Sequence, residues 1–265
     1  MFKSVFYKTL YEKRWLTLFW SIGVIGMGLL MIAFYHSFSQ GGLDQVYKSL
    51  PKSFQGLVGN LTSLKTVPGY VSQEIFSLRI PLLVLIMGVV LFSALLAGDE
   101  SDGTLQTLLA QPVSRTKVFI HKYIAGLVVS FVICYTSVIG VLIGLLLIHE
   151  HMSFLRLSQA AIGAWLLTVL FGTIGYSLGA ITGKRGLSGS VAGLVTFSSY
   201  LLTSFAPNVS WLSTVDKFSP FHYYNKPSIA EVGLKGSNTV LMLVVIIIPL
   251  VLALIVFRKR DIYQR

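Results

Sequence analysis

The chain has 265 residues, of which 54% are hydrophobic and only 12% charged, with a net charge of +11 and a mean hydropathy of +0.75. Soluble domains carry about 25% charged residues, so the composition excludes a water-soluble globular protein and points to an all-α integral membrane protein whose apolar surface faces lipid. A single cysteine, Cys134, set in an apolar run, excludes a disulfide framework and a thiolate metal site, and the positive charge has a membrane explanation that requires no nucleic acid.

Residues 2–14, FKSVFYKTLYEKR, place Phe2, Val5, Phe6 and Leu10 on one helical face and Ser4, Lys8 and Glu12 opposite. This pattern predicts an amphipathic helix along the inner membrane surface, with its lysines near anionic lipid headgroups. A hydrocarbon layer about 30 Å thick needs about 20 apolar helical residues to cross it. Six stretches qualify, at about 15–35, 76–97, 118–148, 159–182, 187–206 and 239–257, and they predict one transmembrane domain over 1–265. The first run is too long for a secretory signal, and YHSFSQGG after it offers no small-residue cleavage site, so it reads as an uncleaved span.

The basic residues orient these spans. Lys3, Lys8, Lys13 and Arg14, then Arg115, Lys117 and Lys122, then Lys184 and Arg185, then Arg258, Lys259, Arg260 and Arg265 crowd the short turns and termini on one side. The longer segments on the other side are sparser in charge. Positive-inside bias then puts both termini and the 98–117 turn in the cytoplasm.

What the spans lack is as informative. Every Asp and Glu reads as lying in a loop or at a span end, and Arg79 and Lys122 sit where they can snorkel. An ion-coupled transporter or an intramembrane enzyme keeps ionisable groups inside its spans. HEHMS at 149–153 has Ser153 where a zinc protease needs its second histidine. TGKRG at 182–186 has Arg185 where a phosphate-binding loop needs its magnesium-binding hydroxyl. The chain is therefore expected to bind no ATP, metal or other cofactor itself. Gly140/Gly144, Gly175/Gly179/Gly183 and Gly189/Gly193 repeat every four residues, a spacing that lets helix backbones approach closely.

The carboxylates concentrate in one turn, GDESDGTLQTLLAQPVSR at 98–115, where Asp99, Glu100 and Asp102 precede a short segment with helical spacing. Leu105, Leu108 and Leu109 share one face of a helix at about 102–111, Asp102 or Ser101 can cap its start, and Pro112 ends it. Ser114 can cap the next helix. A leucine-bearing helix exposed to the cytoplasm suits a socket on another protein. A calcium loop is excluded by Ala110 at the position of its closing glutamate.

This turn resembles the segment between the second and third spans of ABC-2-type transporter permease subunits. That family's E-x-x-x-G-T-L-x-x-L-L-x-x-P-V-S-R pattern is matched by Glu100, Thr104, Leu105, Leu108, Leu109, Pro112, Val113, Ser114 and Arg115, although Gly103 follows Glu100 by three places rather than four. SLPKSFQGLVG at 49–59, GYVSQEIFS at 69–77 and SPFHYYN at 219–225 are similar to outer segments of the subgroup that includes antibiotic exporters and immunity permeases. The resemblance implies a half-size ABC exporter subunit of a bacterial plasma membrane, paired with a second, identical or related permease and with two separate ABC ATPase subunits that bind ATP and Mg. It implies that the 102–111 helix is the coupling helix, with Thr104, Leu105, Leu108, Leu109, Pro112 and Arg115 as coupling residues. Asp99, Glu100, Asp102 and Gly103 then brace the turn, Glu100 against basic residues of the N-terminal helix or Arg115. It also implies an outer re-entrant segment at about 207–238 and an amphipathic or lipophilic cargo; no residue is assigned to substrate. The alternative reading is a non-transporting membrane anchor or sensor that docks a cytoplasmic partner.

Overall fold

The computed structural model describes residues 4–36, 66–225 and 228–261. Phe2 and Lys3 of the expected surface helix and the 49–59 segment lie outside them. Among the described residues every regular element is helical.

Helix α1 (Val5–Glu12) starts at Ser4, whose hydroxyl accepts the Tyr7 amide and so satisfies one of the free N–H groups at a helix start. Its packed face holds Val5 and Thr9, while Lys8 and Glu12 pair across one turn at 3.6 Å. After Lys13 the chain enters α2 (Arg14–Ala33).

Helix α3 (Val67–Leu95) begins nine residues before the expected start at 76. Glu74 and Arg79 interrupt the apolar run in the sequence, but residues Val71–Arg79 wind as a π-helix. Its wider turn aligns residues five apart, so Arg79 ion-pairs with Glu74 and also donates to the Glu74 carbonyl at 2.7 Å. The expectation that every carboxylate lies in a loop or at a span end is corrected here: Glu74 is buried inside a helix, tolerated because it is paired.

Next come α4 (Ala97–Ser101), α5 (Thr104–Leu109), α6 (Arg115–Leu147), α7 (Phe154–Thr182) and α8 (Arg185–Phe205). Short helices α9 (Ser210–Val215), α10 (Pro220–Asn225) and α11 (Ile229–Val232) lead to α12 (Gly236–Lys259). Among the described residues five helices, α2, α3, α6, α7 and α12, are long and apolar enough to cross a membrane. Helix α8 has the length, but its glycine, serine and threonine content lowers its apolarity. Two of its hydroxyls turn back on the chain, Ser188 to the Lys184 carbonyl at 2.8 Å and Thr196 to that of Ala192 at 2.7 Å, which lowers the cost of these polar atoms in apolar surroundings.

The most buried of these helices is α7, packed against α3, α6, α8 and α12. Phe92, Phe119 and Tyr123 meet Tyr176 of α7 in edge-on and tilted ring contacts, and the Tyr176 hydroxyl donates to the Phe119 carbonyl at 2.6 Å. Glycines serve this packing: Phe92 lies over Gly172, Ser93 and Ala192 over Gly175, and Ala97 over Gly179. Helix α2 instead crosses α6 where Gly28 meets Gly140 and Ile32 meets Gly144. Of the repeating glycines, Gly193 alone has nothing within 4 Å of a Cβ built on it.

The two ends of the bundle differ. One collects the end of α3, the starts of α6 and α8, and the ends of α7 and α12, with the basic residues that flank them. The other collects the start of α3, the end of α2 and helices α9 to α11. There the Tyr70 hydroxyl donates to the Met31 carbonyl at 2.7 Å, and the Tyr224 hydroxyl to that of Phe76 at 2.6 Å.

Candidate functional site

The acidic turn lies at the basic end and consists of two short helices set at an angle. Helix α3 stops at Leu95, and α4 runs from Ala97 to Ser101 with Ala97 and Gly98 buried. The chain then reverses at Gly103, whose φ of 71° is left-handed. The capping expectation is corrected at this point. Neither Ser101 nor Asp102 caps α5, because the Ser101 hydroxyl donates to the Gly98 carbonyl at 2.8 Å and Asp102 closes α4. Gly103 occupies the N-cap, and the Thr104 hydroxyl ties the turn by donating to the Asp99 carbonyl at 3.1 Å. A Cβ on Gly103 would meet nothing, so Gly103→Ala is expected to cost only the strain of a left-handed alanine, about 1 kcal/mol. A small drop in the thermal midpoint of the detergent-purified chain is the check.

The leucine face is oriented opposite to expectation. Leu105 is 0% and Leu108 7% exposed, both part of the chain's own core, and Leu109 packs against that core. Burying these apolar groups at home is more favourable than leaving them in water. The leucines therefore anchor α5, and the outward surface is made by Thr104, Thr107, Ala110, Gln111 and Pro112. On the far side, Ser114 caps α6 by accepting the Lys117 amide at 3.3 Å.

Two adjacent carboxylates fasten α4 to two different helices. Asp99 forms an ion pair with Lys122 of α6, whose ammonium also donates to the Leu95 carbonyl at 2.8 Å. Lys122 does not snorkel: it is 2% exposed, capping the end of α3 from inside the bundle. Glu100 pairs with Arg260, just past the end of α12, and the Arg115 guanidinium donates to the Arg260 carbonyl. Arg115 thus belongs to the cluster without being the partner of Glu100.

Gly183 completes the arrangement. It ends α7 with a left-handed φ of 68°, and a Cβ there would run into both the Glu100 carboxylate and the Arg260 guanidinium. Only glycine fits that conformation and that gap. Between the acidic turn and the Thr182–Lys184 turn lies a cleft of about 790 Å³, bordered by Glu100, Gln106, Gly183, Lys184, Arg260 and Asp261. Arg260 and Gly183 carry no signal of this role in the sequence, where one reads as positive-inside charge and the other as part of a glycine repeat.

At the opposite end, the 207–238 segment divides its aromatic residues. Trp211 and Phe218 are exposed, while Phe221 and Tyr224 are buried. Burial raises the Tyr224 phenol well above its ordinary range, and its hydroxyl donates to the Phe76 carbonyl. The Asp216 carboxylate accepts from His222 Nδ1 at 2.6 Å. Beneath this segment an apolar groove of about 390 Å³ runs between α3 and α8, walled by Leu82, Ile86, Val90, Phe197, Tyr200 and Phe221. His149 and His151 are exposed, and no metal-binding group forms among the described residues.

A family model described as ABC-2 family transporter protein matches residues 4–262 of the chain. A comparison with curated proteins finds no match.

Proposed function

The chain belongs to the ABC-2 transporter family, and from that premise we propose that it is the permease subunit of an ATP-driven exporter. It works with two separate ATPase subunits and a second permease subunit in a bacterial plasma membrane. Helix α8 is the sixth span, α1 lies along the inner surface, and both termini are cytoplasmic. The basic residues gathered at one end of the bundle support that orientation.

The observation that carries the reading is the construction of α5. Its leucines are rooted in the bundle while Thr104, Thr107, Ala110, Gln111 and Pro112 project from the basic end. A small, weakly polar, firmly held surface is what a cleft on another protein requires, since little side-chain freedom is lost on docking. The ATPase binds this outward face, and the leucines transmit its movement to the spans. The cargo is amphipathic or lipophilic. In support, the groove between α3 and α8 is apolar and aromatic, which selects for apolar surface and offers no fixed charge for an ion.

Purification of the tagged, full-length chain from its native membrane tests this. An ABC ATPase is expected to accompany it, and Thr107→Arg is expected to weaken that association about tenfold or more while the chain stays monodisperse. Recovery without any ATPase would sink the reading. Undiminished association in both Thr107→Arg and Gln111→Arg would remove α5 from the interface.

A further inference from the structure

The two ion pairs on α4 are built differently. Asp99 and Glu100 are neighbours in sequence and so point about 100° apart on a helix, which sends them to α6 and to the end of α12. The Lys122–Asp99 pair is closed from the lysine side: that side chain is 3% exposed, against 21% for Asp99, and has a second acceptor in the Leu95 carbonyl. Pulling it apart would strand an ammonium where water cannot follow, and a buried charge without a partner is strongly disfavoured.

The Glu100–Arg260 pair borders the cleft, with side chains 18% and 16% exposed. Arg260 Nε has no acceptor among the described residues. If these two charges separate, both still border the cleft, so parting them costs less than stranding the Lys122 ammonium. Arg260 is the C-cap of α12, its N–H donating to the Val256 carbonyl at 2.9 Å and its carbonyl accepting from Arg115, so its guanidinium can leave Glu100 by side-chain rotation without unwinding the helix. Gly183 provides the seat, because any side chain there would displace the pair.

We infer that Glu100 and Arg260 are positioning residues that form a releasable clasp between the acidic turn and the end of α12, with Lys122–Asp99 as the fixed pivot. Pressure on the outward face of α5 rotates α4 about Asp99 and opens the clasp, freeing the end of α12 from the turn. This inference rests on the reading of α5 as the face that meets the ATPase.

The test uses the full complex in lipid nanodiscs. With Cys134→Ser removing the one native thiol, spin labels at Ser101→Cys and Asp261→Cys flank the clasp and leave Glu100 and Arg260 intact. The label separation is expected to lengthen when Mg-ATP and vanadate trap the complex. Identical distance distributions with and without nucleotide would make the pair a static brace and overturn the clasp.

In parallel, Glu100→Arg and Arg260→Glu should each lower ATP turnover about fivefold or more, and combining them should restore it. Normal turnover in either single reversal also overturns the proposal. Absence of an ATPase from the wild-type preparation would overturn the transporter reading itself, a result distinguishable from an unmoved clasp.

Discussion

Replacing Lys122 with methionine is expected to destabilise the chain by about 3 kcal/mol or more, the range for breaking a buried ion pair from one side. Methionine fills the space of the lysine stem, so the loss is not one of packing. It leaves the Asp99 carboxylate without its cation and the Leu95 carbonyl without its donor, at the junction where α3 gives way to α4. The Asp99 side chain keeps 21% of its exposure and recovers part of its hydration, which places the cost toward the lower end of that range. Asp99→Asn in the same chain removes the stranded charge, so the double variant should be more stable than Lys122→Met alone. The thermal midpoint of the detergent-purified protein measures both. A Lys122→Met variant as stable as wild type would show that the pair does not hold the turn.

An equally large effect is expected from Gly140→Leu, for steric reasons. A Cβ at 140 would lie 2.5 Å from the Ile25 carbonyl oxygen and 2.8 Å from the Ile25 Cα. Backbone atoms cannot rotate aside as a side-chain tip can, so α2 must move away from α6 along its length. The packing of Val24 and Ile32, both essentially fully buried, goes with it. Overpacking of this kind costs about 3 kcal/mol or more when no rotamer relieves it. Gly23 sits on the same helix with nothing within 4 Å, and Gly23→Leu should therefore stay within about 0.5 kcal/mol of wild type. If both substitutions behave alike in thermal unfolding and protease resistance, the α2–α6 crossing is not where the structure has it.

The contrast between Gly23 and Gly140 shows how much of this protein was legible before its fold was known. Both are glycines in apolar runs, and only Gly140 belongs to a four-residue glycine repeat. The four-residue glycine spacing announced close helix contacts, and most of these glycines do meet a neighbouring helix. Which helix each one meets depends on the arrangement of the bundle. The start of α3 was missed for a related reason. Hydropathy treats Glu74 and Arg79 as two separate interruptions, whereas the π-helical turn makes them one internally neutralised pair.

The acidic turn shows the same division most clearly. Its location, a short leucine-bearing helix that ends before Pro112, and the Ser114 cap follow from local chemistry, because caps and proline act within a few residues. The expected single helix at 102–111 is instead α4 and the shorter α5. The direction of the leucine face does not follow. Periodicity reports that Leu105, Leu108 and Leu109 lie together but not whether a partner or the chain itself covers them. The bundle covers them, and the opposite side of α5 is the one left exposed.

The residues alone determined that this is an all-helical membrane protein with charge concentrated at one end, since apolar run length and basic clustering are properties of short windows of chain. Only the tertiary structure decided the partners of those charges. Glu100 lies 160 residues from Arg260 and Asp99 lies 23 from Lys122, and an ion pair forms wherever the packing of apolar helices brings opposite charges together, irrespective of their separation in sequence. Close packing of the helices set the bundle, and the bundle then set which carboxylate is locked to α6 and which faces the cleft beside the end of α12.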